Sequence, residues 1–312
     1  MLGVQIRSRR SRESLDEWRL PNFLIIGAPR SGTSTLATNL SDHPQAFVPP
    51  QKELKFFDFE FHRGIRWYSR QFRDAGASVA VGESSPTYLY SPAAAERIAE
   101  ILPDARLIVI LRDPVDRAYS DYLHARTFGR ESLSFEDALQ EEVRGKRLWS
   151  ADRSLQGSYL SRGRYAEHLQ RFLQPRDGRS LQIIMFEDLR DSPFGTFSSV
   201  CSFLGIDSAF EPPSLGMIVN PQYDIFGLRL WMFLYRWRWR WPWVQRFATA
   251  MARIQCRPRV RYPPMSPRLR RWLTDYFAEP NAQLSEWLGV EIPATWLSAG
   301  VRSIDAMGPA NG

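Results

Sequence analysis

The chain has 312 residues, of which 44% are hydrophobic and 13% aromatic, so it can bury a substantial core. Its formal net charge of +7 suits anionic ligands: a polyanionic cofactor, acidic glycans, a phospholipid surface or nucleic acid. Only two cysteines, Cys201 and Cys256, occur, which excludes a disulfide framework or a cysteine-built metal cluster.

Residues 1–20, with Arg7, Arg9, Arg10 and Arg12, read as a frayed leader. They hold no apolar stretch long enough for a signal peptide or a membrane span, and the expectation is a cytoplasmic protein. Phe23–Ile26 is a continuous apolar run, as expected of a strand buried on both faces of a parallel sheet. A turn bracketed by Gly27 and Gly32 follows, then a helix from about Ser34 to Leu40. Ser31, Thr33, Ser34 and Thr35 put hydroxyls and N–H groups where the positive end of the helix dipole points, a combination that draws a phosphate. Compared with the loop G-x-x-x-x-G-K-[ST], the glycine spacing is kept, but Thr33 replaces the Lys and the cation sits earlier, at Arg30. Such a loop loses the β/γ-phosphate contact of a kinase and keeps a site for one terminal phosphate. The plainer alternative is a Gly/Ser-rich turn capping an ordinary helix.

Further along, Glu53 stands between Lys52 and Lys55 ahead of Phe56 and Phe57. Without other context that is a solvated turn over the core. Val79–Gly82 reads as a strand and 92–102 as a helix. The apolar run Arg106–Leu111 empties into Arg112-Asp113-Pro114, and Pro114 suits the first turn of a helix. Ser120 lies about two turns beyond Arg112 on one face, and His124 one turn further. Arg112 paired with Asp113 or Asp116, beside a solvated Ser120, is the competing reading. Helices follow at 134–147, with Ser134 as N-cap, and at Tyr165–Leu173; then come a strand at Leu181–Phe186 and a helix at Phe194–Leu204, where Cys201 is a small core residue. This strand–helix rhythm is that of a doubly wound α/β fold with a P-loop-like central parallel sheet flanked by helices. One domain over 21–312 is expected.

Residues 226–256 stand apart. Trp231, Trp237, Trp239, Trp241 and Trp243 alternate with Arg236, Arg238 and Arg240, and no acidic residue occurs between Asp224 and Asp275. The segment reads as an interfacial helix or hairpin with rings at headgroup depth. It also reads as an aromatic–Arg platform for sugars, a single-stranded nucleic-acid platform, or a helical lid with its tryptophans in the core.

Pro29-Arg30-Ser31-Gly32-Thr33-Ser34 resembles the 5′-phosphosulfate loop of sulfotransferases that use PAPS (3′-phosphoadenosine 5′-phosphosulfate), with Arg30 in place of the usual Lys. Arg112 with Ser120 resembles that family's 3′-phosphate-binding pair, and Lys52-Glu53-Leu54-Lys55-Phe56-Phe57 followed by Gly64-Ile65-x-Trp67-Tyr68 resembles its heparan-sulfate-type members. Gly82–Tyr88 is similar to an E-K-S-x-x-Y stretch, with Ser84 at the Lys position. Gly163-Arg164-Tyr165 resembles the segment near the adenosine, and Arg257–Met265 the basic loop over the nucleotide without its usual K-G-R. The motifs agree in order over Asn22–Leu204 and Arg257–Leu297. The closest likeness is to heparan-sulfate-type (N-/3-O-) sulfotransferases and bacterial relatives.

The resemblance implies PAPS as co-substrate, PAP as product and no metal. Glu53 would be the base, Arg30 the cation on the departing 5′-phosphate, and His124 a residue that orients or deprotonates the acceptor. Ser31, Gly32, Thr33, Ser34 and Thr35 would cradle the 5′ group, Arg112 and Ser120 the 3′-phosphate, Tyr165 the adenosine, and Arg257, Arg259 or Arg261 would close over it. The implied acceptor is a glycan or glycolipid; the Trp/Arg composition of 226–256, outside the resemblance, adds the expectation of peripheral contact at the inner membrane face, and no nucleic acid is expected. A P-loop kinase-like enzyme and a non-enzymatic basic membrane- or nucleic-acid-binding protein are the alternatives.

Overall fold

The computed structural model describes residues 18–51, 53–146, 158–173, 180–217, 264–289 and 291–296. Lys52, the 226–256 segment and Arg257, Arg259 and Arg261 lie outside the described residues. The described residues form two compact units: 18–28 with 32–110, 170–173 and 180–217, and 29–31 with 111–146, 158–169 and those from 264 on.

The first unit holds a five-stranded parallel sheet in the order β2-β3-β1-β4-β5. Its strands are β1 (Phe23–Gly27), β2 (Ala46–Phe47), β3 (Ala80–Ser84), β4 (Arg106–Leu111) and β5 (Leu181–Met185). β1 is buried along its whole length, as its unbroken apolar run requires of a central parallel strand. Helix α1 (Thr33–Ser41) follows β1, and α3 (Pro92–Ile101) begins where Ser91 caps the Ala94 N–H. Helix α8 (Pro193–Leu204) opens on a proline and closes at left-handed Gly205. Phe23, Ile25, Leu36, Ile108, Ile184 and Phe197 form the core between sheet and helices.

In the second unit, Asp113 caps α4 (Pro114–Thr127), its carboxylate accepting the Val115 N–H at 2.8 Å with Pro114 at the first position. Ser134 caps α5 (Phe135–Val143) through the Asp137 N–H, as the sequence predicts. Val115, Leu123, Leu139, Leu273 and Phe277 bring α4, α5 and the long α9 (Pro267–Leu288) together. Among the described residues no helix is long and apolar enough to cross a membrane.

Element boundaries differ from the sequence reading where polarity misleads. β3 runs Ala80–Ser84 rather than 79–82, because Glu83 and Ser84 pair with Leu24 and Ile25 of β1 although neither is apolar. The expected strand 181–186 stops at Met185, and Phe186 opens a short helix, α7 (Phe186–Asp191). The helix expected over 134–147 is α5 alone, closed at Arg144, and the one expected at Tyr165–Leu173 is present as α6. β2 and the five-residue α2 (Ile65–Ser69) carry too few residues for a periodic signal.

Candidate active site

The turn after β1 is shaped by two glycines. A Cβ on Gly27 would lie 2.7 Å from Leu89 Cβ, and Gly32 holds φ +90°, where a Cβ would also meet Leu189 at 2.9 Å. Gly32 begins α1 with no side-chain cap, and its carbonyl accepts the Thr35 and Leu36 N–H groups. The first-turn N–H groups of a nine-residue helix are therefore left without a capping side chain. Thr33 is buried and Ser34 and Thr35 are partly exposed on this turn. The Ser31 hydroxyl is fully buried and has no hydrogen-bond partner among the described residues. An orphaned buried hydroxyl fits an oxyanion ligand, which would supply its missing partner, and an uncapped helix start is by itself also suited to an anion.

Pro29–Ser31 belongs to the second unit, which gathers the other expected phosphate residues. Arg30, at φ +71°, donates from Nε to Ser120 Oγ at 3.2 Å, and Arg112 donates from Nη1 to the Arg30 carbonyl at 3.0 Å. Asp113 is engaged in capping and Asp116 pairs with Arg270. Burial, and then the nearby Asp116, push the Asp113 carboxyl up to about 6. Tyr165 is buried and donates its hydroxyl to the Arg112 carbonyl at 2.8 Å, so it props the strand end.

One turn past Ser120, His124 is half-buried with its ring 4.6 Å from that of Phe128. Between them Asp121 binds Arg162 at 2.7 Å and Arg117 at 3.4 Å. Burial opposes its ionisation, but the two guanidiniums win and hold its carboxyl below the usual range. This pairing locks α4 to the turn Ser161–Gly163 that precedes Tyr165. The unit thus supplies two arginines and a hydroxyl in direct hydrogen-bond contact, a set suited to a phosphate.

Glu53 lies in the first unit, a third exposed, with its carboxylate 3.1 Å from Lys55 Nζ. Both take left-handed backbone, φ +57° and +53°, which costs about 1 kcal/mol each and concentrates at functional sites. The Lys55 N–H donates to Ser85 Oγ at 2.9 Å, which ties this segment to the residue following β3. Sequence reasoning assigned no role to Glu83, which is 2% exposed and accepts hydrogen bonds from Tyr68, Tyr88 and Ser85. Burial pushes its carboxyl up to about 7, against the pull of those hydroxyls. A lone acid at the end of an otherwise apolar strand was the available signal. Ser84, at the expected Lys position, is the buried last residue of β3.

The family model described as "Sulfotransferase domain" matches residues 20–217. The human "Bifunctional heparan sulfate N-deacetylase/N-sulfotransferase 2" is 33% identical over 291 residues, covering 89% of this chain and 31% of that protein. The human "Bifunctional heparan sulfate N-deacetylase/N-sulfotransferase 3" is 32% identical over 292 residues with the same coverage. The chain therefore spans just under a third of the length of these curated relatives. Among solved structures, a sulfotransferase from Alicyclobacillus acidocaldarius matches with a TM-score of 0.67 and 27% identity, over 88% of this chain and 98% of that one.

Proposed function

Because the chain belongs to the sulfotransferase domain family, we propose that it transfers the sulfuryl group of PAPS to a hydroxyl or amine of a glycan or glycolipid. The observation that carries the reading is the bonded trio Arg30, Ser120 and Arg112, drawn from positions up to 90 residues apart. The buried Ser31 hydroxyl, which has no partner among the described residues, supports it, since a ligand oxyanion would supply one. In this scheme Arg112 and Ser120 hold the 3′-phosphate. Arg30 and the N–H groups of residues 32–34 stabilise charge that builds on the departing 5′-phosphate, and Glu53 takes the proton of the acceptor. His124, one turn beyond Ser120, orients the acceptor. The glycan class is supported by the relatives, whose names specify heparan sulfate.

The test uses radiolabelled PAPS with N-desulfated heparin and a panel of other glycans and glycolipids. Glu53→Gln is expected to lower kcat by about 10²–10⁴-fold, the contribution typical of a general base. Its affinity for PAP in calorimetry should stay within about twofold, because uniform binding is not what a base supplies. Normal turnover in Glu53→Gln removes Glu53 from the mechanism. Nucleotide turnover from ATP without use of PAPS overturns the whole reading.

A further inference from the structure

Glu83 makes three hydrogen bonds inside the first unit, and two of them lead to the same short segment. Its Oε2 accepts the Ser85 hydroxyl at 2.7 Å, and its Oε1 accepts the Tyr88 hydroxyl at 2.6 Å and that of Tyr68 at 3.3 Å. Ser85 Oγ in turn accepts the Lys55 N–H at 2.9 Å, and Tyr88 Oη accepts the Phe57 N–H at a longer 3.4 Å. A hydroxyl that faces an N–H must receive there, so its own proton points to Glu83. One buried carboxylate thereby orients both hydroxyls that grip the backbone just after Glu53. That grip acts where the chain is strained, with Glu53 and Lys55 both left-handed. Ser85, Tyr68 and Tyr88 are completely buried, so water cannot replace the missing partners if the network loosens.

We propose that Glu83 is a positioning residue: acting through Ser85 and Tyr88, its carboxylate fixes the 53–57 backbone and hence the aim of Glu53. The inference rests on the base role assigned to Glu53 above. Only the ionised carboxylate accepts from all three hydroxyls. A protonated Glu83 must donate to one of them, and where that is Ser85 or Tyr88 the donation competes with the backbone N–H that this hydroxyl accepts. Burial first, and then the charge of Asp58, raise the Glu83 carboxyl to about 7, so the grip strengthens as pH rises through neutrality. Among the described residues the ionisable groups facing it are Tyr68 of α2, Tyr88 beyond β3, and Asp58, which itself bonds Thr87 and feels Lys55. The neighbouring strands β1 and β2 present none.

Hydrogen exchange over 53–58, kcat with PAPS and N-desulfated heparin across pH 5.5–8.5 (about 1.5 units on either side of neutrality), and PAP calorimetry together test this. In Ser85→Ala and in Glu83→Gln the Lys55 amide should exchange about tenfold faster, and kcat should fall about tenfold, with PAP affinity within about twofold. Wild-type kcat should rise with pH through about 7, and Glu83→Gln should lack that limb. A role in folding alone would not move a pH profile. Should Glu83→Gln fail to fold, Ser85→Ala, which deletes one hydroxyl, carries the test. Unchanged protection at Lys55, or wild-type kcat in Ser85→Ala, overturns the proposal. Failure of the base reading is distinct: Glu53→Gln would then remain active whatever the exchange shows. The exchange measurement needs no acceptor, so it decides the grip even where no tested glycan is sulfated.

Discussion

Gly27 and Gly32 fail differently when given a side chain. At Gly27 the obstacle is another residue's Cβ, that of Leu89 at 2.7 Å, which cannot rotate away. Gly27→Ala should therefore cost about 2 kcal/mol, the overpacking penalty of a filled core, read as a lower midpoint in urea with unchanged slope. At Gly32 the neighbour is the end of the Leu189 side chain, but φ +90° strains any Cβ and the residue begins α1. The same backbone freedom is absent at Arg30, Glu53 and Lys55, which hold positive φ with full side chains. Such strain persists only where surrounding contacts enforce it. The Ser120 and Arg112 bonds at Arg30, and the Ser85 bond at Lys55, are those contacts.

At the level of elements, α4 joins packing to the candidate site. Its N-terminus is set by Asp113 and Pro114, its middle by the Asp121–Arg162 pair, and its last turns carry the half-buried His124. Losing the cap loosens the turn in which Arg112 leaves β4. Asp113→Ala is expected to cost about 1 kcal/mol in denaturant unfolding, while Asp113→Asn, which caps equally well, should cost a few tenths. Equal losses in the two variants would show that charge, rather than the cap, matters there. The sequence already carried this helix in Pro114 and the 112–120 spacing, because caps and proline act locally. It did not carry the reach of β3 to Ser84, since pairing with β1 rather than side-chain polarity put Glu83 and Ser84 into the sheet.

Across the whole molecule the buried acids set opposing pH windows. Glu83 is raised from 4.5 to about 7, and Asp58 and Asp113 from 3.8 to about 6, burial being the leading cause each time. The folded chain then binds more protons than the unfolded one, so stability from these groups is full below about pH 4 and is lost as pH rises to about 7. Asp121 acts in reverse: held below 3.8, it stabilises above that value and is lost as pH falls through its folded value. Melting temperature should therefore decline between about pH 5 and 7.5, and Glu83→Gln should flatten part of that decline. A melting temperature that rises over this window would contradict the assigned shifts. Activity that grows while stability falls would be the signature of a carboxylate kept buried for its position and not for its contribution to folding.

The amino-acid sequence alone determined the parts whose causes are local. Apolar runs made β1 and β4, glycine spacing and hydroxyls made a phosphate-type turn, and motif order identified the sulfotransferase family. Which groups meet was decided by the fold. Arg30 and Ser120 are 90 residues apart, and no pattern of neighbours states that one will hydrogen-bond the other. Glu83 looked like a strand-end acid and became the centre of a buried network only when α2 and the turn after β3 closed around it. Local propensity acts over a few residues, whereas burial and hydrogen-bond satisfaction depend on everything that packs nearby.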